Sequence, residues 1–261
     1  MRRDSTSPMP PMERWWREII RPYGEALVFA VLVTTFGFTL VGVDGYSMMP
    51  NLRTGERVIV PKYETWLHRL GIGRFHRGDI VVLKPPAGAQ DQHSFLGLWN
   101  YRPYFIKRII GVPGDTLRIS RRHVYIDGHK LNQSFTTNYW RAQGCWDQSS
   151  VLANHIHNQI TPLGIVPLGK TITIPQGDYF VMGDNRTAQG SEDSRLFGLV
   201  PLDNIAGRAV MVVWPFVRQK TATWPCSSVD GPPKLSGPLQ FNMRFLDPPP
   251  AFAKIAGQVG Y

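Results

Sequence analysis

Ser47 and Lys107 are the residues whose types and setting point most directly to chemistry. Ser47 lies in Val43-Asp44-Gly45-Tyr46-Ser47-Met48-Met49-Pro50, directly after an uncharged apolar run. Lys107 lies in Phe105-Ile106-Lys107-Arg108-Ile109-Ile110-Gly111-Val112-Pro113-Gly114-Asp115. A serine hydroxyl is a weak nucleophile at neutral pH and needs a base, a role that a buried neutral lysine fills. The demand on that lysine is severe. An ordinary lysine titrates at about 10.4, and a general base working near neutrality must fall to roughly 7–8. That change corresponds to about 4 kcal/mol against the charged form. An apolar wall supplies it by desolvation, and a loose carboxylate would undo it. Asp79 and Asp115 are therefore expected to be engaged in turns. The pair predicts a serine hydrolase whose active site lies beside a membrane.

The elements that must position this pair begin with the apolar run, residues 26–43, read as a transmembrane anchor. It contains no charge, and at about 1.5 Å per residue it just crosses a hydrocarbon core. Arg2, Arg3, Arg14, Arg17 and Arg21 precede it, which predicts a cytoplasmic N-terminus, residues 1–25, and an extracytoplasmic body. A cleaved signal peptide is the competing reading, but its apolar region is usually shorter. The body, 44–217, reads as strands at 57–60, 79–83, 104–110, 116–119, 123–126, 171–174, 179–182 and 209–214, rich in β-branched residues. Asp127-Gly128 is a hairpin signal. Tyr63 to Phe75 reads as a loop or short helix. Residues 132–169 read as a polar, irregular insertion, and 218–261 as an extended Pro-rich tail. The expected fold is mainly β, an extracytoplasmic domain of antiparallel sheets after one N-terminal helix.

The totals agree with that reading. The 25 Gly and 22 Pro in 261 residues argue for many turns and against a helical bundle. The net charge of +10 suits nucleic acid or an anionic lipid surface. No zinc-finger spacing or long basic run accompanies it, so lipid is expected as partner and nucleic acid is not. His155-Ile156-His157 lacks a third ligand at metal spacing, and no Gly-rich phosphate loop occurs; neither metal nor cofactor is expected. The two cysteines, Cys145 and Cys226, are compatible with one disulfide or with two thiols.

Four motifs in order give a resemblance. Ser47-Met48-Met49-Pro50, Arg77-Gly78-Asp79-Ile80-Val81-Val82, the Lys107-Arg108 box ending at Asp115, and Gly183-Asp184-Asn185-Arg186 with Ser191-Glu192-Asp193-Ser194-Arg195 resemble bacterial type I signal peptidases, membrane-anchored Ser-Lys proteases. The resemblance spans residues 26–215 with the anchor. It implies Ser47 as nucleophile, Lys107 as base, and Ser191 as the hydroxyl that orients the lysine. It also implies that Lys107 is buried and Arg108 exposed, and that Asp184, Arg186, Asp193 and Arg195 hold their loop as ion pairs.

Two departures stand out. The stretch from Arg186 to Ser191 is two residues longer than the common family pattern. Gly45 stands where some members carry a serine that helps bind the oxyanion, which leaves the Ser47 N–H and a water. The implied substrates are exported preproteins with small residues before the cleavage site. The secretion translocon is a candidate partner. Met48, Met49 and Trp/Phe-rich loops are expected to dip into the lipid interface. A related Ser-Lys processing protease of a conjugation or secretion system and a catalytically silent membrane-tethered β-domain are the rival readings.

Overall fold

The computed structural model describes residues 15–86, 93–95, 99–101, 103–120, 123–145, 170–187, 190–224 and 232–258. Among these described residues, seventeen strands follow in chain order. They are β1 (Phe38–Gly42), β2 (Arg57–Pro61), β3 (Ile80–Leu83), β4 (His93–Phe95), β5 (Trp99–Tyr101), β6 (Phe105–Gly111), β7 (Thr116–Ser120), β8 (His123–Ile126) and β9 (His129–Lys130). After these come β10 (Thr171–Thr173), β11 (Asp178–Met182), β12 (Val200–Pro201), β13 (Ile205–Arg208), β14 (Met211–Trp214), β15 (Val217–Thr223), β16 (Lys234–Phe241) and β17 (Arg244–Phe245). Every pairing is antiparallel, as in β1–β2, β3–β6 and β6–β11. Three larger sheets have the orders β1-β2-β14-β17, β10-β7-β8-β9 and β12-β11-β6-β3-β13, beside the hairpins β15-β16 and β4-β5. The expected mainly β fold is the one observed.

The strands form where β-branched residues alternate or run together. In β3, Ile80-Val81-Val82-Leu83 is buried on both faces, because Ile80 and Val82 enter one apolar cluster and Val81 and Leu83 another, while β6 and β13 pair with its two edges. The β8–β9 turn uses Asp127 and Gly128, at φ 50° and 79°, the left-handed pair that suits a two-residue hairpin.

The apolar run divides differently from expectation. Helix covers Glu18–Gly37, 20 residues, the one helix among the described residues long and apolar enough to cross a membrane. Its end is capped by a strand: Phe38-Thr39-Leu40-Val41-Gly42 pairs with β2, from Phe38↔Pro61 to Gly42↔Arg57. Aromatic and β-branched residues favour the strand once an antiparallel partner is present. At the other end the helix takes in Arg21, whose charge meets Glu25 at 2.8 Å, one turn away.

Two further regions differ from expectation. The insertion holds a helix, Ser134–Ala142, with Thr136, Thr137 and Trp140 buried; the Asn132 side chain accepts from Ser134 N at 3.0 Å and starts it. Residues 146–169, including the two histidines, lie outside the described residues. The stretch expected as an extended tail is folded: β15 pairs β16, β17 pairs β14, and a helix spans Pro250–Gln258. Proline punctuates these elements, and Pro250 opens the last helix, where a missing N–H costs nothing. Phe252 and Ile255, one turn apart, enter the core with Ile110, Leu117 and Phe180. Cys145 is disulfide-bonded; Cys226, the only other cysteine of the chain, lies outside the described residues.

Candidate active site

Strand β6 carries Lys107. Period-2 alternation puts Phe105, Lys107 and Ile109 on one face and Ile106, Arg108 and Ile110 on the other. Lys107 is 3% exposed. It pairs across β3 with Val81, and Val81, Ile109 and Val181 are fully buried in one apolar cluster. The Lys107 ammonium nitrogen is 5.1 Å from the centre of the Phe105 ring. The wall beside this amine is hydrocarbon, as a base of this kind requires.

The nearby carboxylates are engaged. Asp115 accepts from Arg77 Nε at 2.7 Å and Nη2 at 2.5 Å, and from Val112 N at 2.9 Å. Asp79 accepts from His76 N at 2.8 Å, and burial pushes its carboxyl upward, opposed by that N–H and by Arg208. Asp193 is fully buried and is gripped by Arg195 through Nε and Nη2, each at 2.8 Å. Burial alone would raise Asp193, but Arg195, the Gly183 N–H and the Lys107 charge together hold it below the usual carboxylate range.

Arg108 is not exposed. It is buried, at 2%. Its guanidinium clasps Asp184 with Nε at 2.9 Å and Nη2 at 2.6 Å, and its Nη1 donates to the Gly78 carbonyl at 2.7 Å. Both sides of β6 are covered by other layers, so alternation here separates two interiors rather than core from solvent. Arg186, expected in an ion pair, instead donates to the Gly183 carbonyl at 2.7 Å and to Gln133 Oε1. Burial, with the neighbouring Arg195 charge adding to it, pulls its guanidinium down to about 10.

Ser47 is half-buried. Its loop is pinned by two methionines that enter different cores. Met48 packs with Val58, Ile80 and Val212, and Met49 with Trp140, Cys145 and Trp224. They are 2% and 0% exposed, so the expected lipid contact through Met48 and Met49 is corrected. The Ser47 carbonyl accepts from Asn185 N at 2.9 Å, and Asn185 Nδ2 donates to the Tyr46 carbonyl at 3.3 Å. Gly45, at φ 78°, is exposed, with open space where a side chain would stand. Its N–H donates to Asp44 Oδ1 at 2.9 Å and its carbonyl accepts from Thr54 Oγ1 at 2.7 Å.

Gly183 is the point where these parts meet. Strand β11 pairs Met182 with Arg108, and continuing that register by one residue sets Gly183 opposite Lys107. A Cβ on Gly183 would stand 2.2 Å from Ser191 Oγ and 2.5 Å from the Ser47 carbonyl oxygen. Its N–H donates to Asp193 Oδ2 at 2.9 Å. The Ser47 carbonyl and the Ser191 hydroxyl thus meet at one side-chain-free residue, directly after the strand that pairs with β6. Ser191 is buried, and its Oγ makes no hydrogen bond among the described residues, so the implied bond to Lys107 is not formed in this structure.

The helix Ser134–Ala142 belongs to the site and was hidden in the polar stretch. Trp140 Nε1 donates to the Asp184 carbonyl at 2.9 Å, and Thr136 Oγ1 donates to the same oxygen. The signal was a Thr and a Trp at i and i+4 behind Asn132. Among the described residues, no group of His, Cys, Asp or Glu is arranged to hold a metal.

Comparison with known proteins gives the family. The sequence profile described as "Signal peptidase, peptidase S26" matches residues 16–214. Signal peptidase I S of Bacillus subtilis (strain 168) is 34% identical over 219 residues, 83% of this chain and 96% of that protein. Signal peptidase IB of Staphylococcus aureus (strain N315) is 32% identical over 194 residues, 73% and 85% of the two chains. Probable signal peptidase I-2 of Synechocystis is 30% identical over 208 residues, 80% and 78%. Likeness of overall shape to a crystal structure of a signal peptidase I from Enterococcus faecalis is weak, with a TM-score of 0.32 at 26% identity over 52% of this chain and 97% of that one. The chain belongs to the signal peptidase family, peptidase S26, and is a serine endopeptidase.

Proposed function

We propose that the chain removes N-terminal signal peptides from exported preproteins, with Ser47 as nucleophile and Lys107 as its base. The observation that supports this is the burial of Lys107 on β6 beside the Phe105 ring and Val81, with the Ser47 carbonyl and Ser191 Oγ packed together at Gly183, the residue after the strand paired with β6. Burial favours the neutral amine. That amine takes the Ser47 proton as Oγ attacks the scissile carbonyl. The tetrahedral intermediate collapses, the peptide C–N bond breaks, and the proton passes from Lys107 to the leaving amine. Lys107 then draws a proton from water, which hydrolyses the ester on Ser47. Ser191, whose Oγ is uncommitted, orients the amine. The Ser47 N–H supplies the oxyanion donor, because Gly45 has no side chain to add a second one. The substrate lies as an extended strand, its small residues before the scissile bond seated in shallow pockets.

The helix Glu18–Gly37 anchors the body in the bilayer, with the N-terminus cytoplasmic and the body outside. Exposed apolar residues support a lipid contact around the outer end of that helix: Tyr63, Trp66, Leu70 and Ile72. More lie on the β1-β2-β14-β17 sheet, with Leu40 on β1, Trp214 on β14 and Phe245 on β17. This surface takes the place of Met48 and Met49 as the membrane-facing one. The translocon is the candidate deliverer of substrate.

The test is cleavage of a preprotein in detergent by Ser47→Ala and Lys107→Ala. Each is expected to lose at least about 1,000-fold in kcat. Wild-type cleavage by either variant would overturn the dyad.

A further inference from the structure

The family profile ends at residue 214, but the chain continues into β15, β16 and β17, and this continuation reaches back to the nucleophile loop. Glu56, nine residues after Ser47, is buried at 2%. Arg218 Nη1 donates to its Oε1 at 2.9 Å. Arg244 donates to the same carboxylate from Nη2 at 3.0 Å and from Nη1 at 3.3 Å. Arg244 Nη2 also donates to the Asn51 carbonyl at 2.5 Å. Traffic runs the other way as well: Arg53 donates to the carbonyls of Gln219 at 2.7 Å and Lys220 at 3.0 Å.

Asn51 links this network to the catalytic strand. Its Nδ2 donates to Asp184 Oδ2 at 2.7 Å, and that carboxylate holds Arg108, the neighbour of Lys107. One residue, four past Ser47, is therefore held by Arg244 through its carbonyl and by Asp184 through its side chain.

Two guanidiniums, those of Arg218 and Arg244, share one carboxylate here, which also accepts from the Arg53 backbone N–H at 3.1 Å, an expensive arrangement. Burial lowers the pKa of both Arg53 and Arg218. Apolar residues of similar shape commonly give equal or better stability at such a place. What an apolar filler cannot do is fix a peptide carbonyl and a carboxylate at two defined angles, as a guanidinium fork does.

We propose that Arg244 is a positioning residue for catalysis. Through Asn51 and Glu56 it sets the Ser47 loop against the Asp184–Arg108 pair, so that the continuation past residue 214 is part of the working enzyme. This rests on the reading of Ser47 and Lys107 as the dyad.

The experiment uses the full chain in detergent, with kcat, KM and Tm measured for Arg244→Met and Arg244→Lys. Arg244→Met is expected to lose about tenfold or more in kcat, with KM changed by no more than about twofold. The loss persists well below the variant's Tm. Arg244→Lys recovers part of it, because an ammonium still reaches the Asn51 carbonyl but cannot fork. A wild-type kcat for Arg244→Met below its Tm overturns the proposal whatever happens to Tm, as does a loss confined to KM. Should Arg244→Met fail to fold, Arg244→Lys decides by the same kcat and KM criteria. Ser47→Ala, assayed in parallel, separates the two readings: activity in Ser47→Ala sinks the dyad, and a normal Arg244→Met beside a dead Ser47→Ala sinks the positioning role alone.

Discussion

Lys107 and Arg108 are adjacent on β6 and buried alike, at 3% and 2%, yet their surroundings are opposites. Arg108 has a carboxylate matched to its fork, the Gly78 carbonyl, and the Phe135 ring 5.2 Å from its guanidinium carbon. Lys107 pairs in register with Val81 and has the Phe105 ring 5.1 Å from its amine, and Asp193, a buried carboxylate that senses its charge, is clasped by Arg195. A buried cation given a partner becomes a strut between segments. A buried cation given hydrocarbon is pressed toward its neutral form and becomes a base. Depth of burial does not distinguish them; the chemistry of the wall does.

The comparison breaks most decisively at Lys107→Arg. A guanidinium stays charged at any accessible pH, so kcat/KM is expected to fall by at least about 1,000-fold, while the far-UV circular dichroism of the folded chain is kept. Appreciable turnover by this variant would mean that deprotonation of residue 107 is not needed.

On the strut side, Asp184→Asn leaves the Arg108 guanidinium buried without its counter-charge. A loss of about 3–5 kcal/mol in denaturant unfolding is expected. The double change Arg108→Met with Asp184→Leu should return most of it; if it does not, the pair is more than a strut.

Gly183→Ala tests the meeting point between the two. The added methyl would press on the Ser47 carbonyl and Ser191 Oγ, and a misplacement of about 1 Å costs about 100-fold in kcat. Turnover equal to wild type would show that the three residues do not depend on this contact.

The smallest effect is expected at Gly45→Ser. Space is open there, but the left-handed backbone at φ 78° costs an L residue about 1–2 kcal/mol. Stability should drop by about that amount, and activity should stay within about tenfold of wild type. Complete inactivation would mean that the glycine backbone itself touches substrate.

Much of this was legible before any coordinates. The strands around 57–60, 79–83 and 104–110 announce themselves through β-branched residues, the turn at Asp115 through Val112-Pro113-Gly114-Asp115, and the engagement of Asp79 and Asp115 follows from the demand that no loose carboxylate stand beside Lys107. Three things were not legible, each for a physical reason. Alternation identifies two faces but not what covers them, so it could not correct the exposed Arg108 that the resemblance implies, although β6 lies inside a sheet covered on both faces. The helix Ser134–Ala142 buries threonines and a tryptophan against one carbonyl, which leaves no apolar stripe to read. The C-terminal text hid its strands because their outward residues are apolar as well: Val217, Leu235, Leu239 and Phe241 are exposed, which erases the polar half of the pattern. Met48 and Met49 show the limit of composition in the other direction, since apolar residues next to an anchor serve here as pegs into two cores.

The long helix passes into β1 without a linker, from Gly37 to Phe38, and Phe36 rests on Trp66 with ring centres 5.9 Å apart. A body joined to its candidate membrane span by a sheet strand has no loop between the two. With that helix seated in lipid, the height of Ser47 above the bilayer is a fixed dimension of the molecule. A scissile bond must arrive at that height. On the proposed anchoring, the distance between a substrate's own apolar stretch and the bond to be cut would then count alongside the size of the side chains beside that bond.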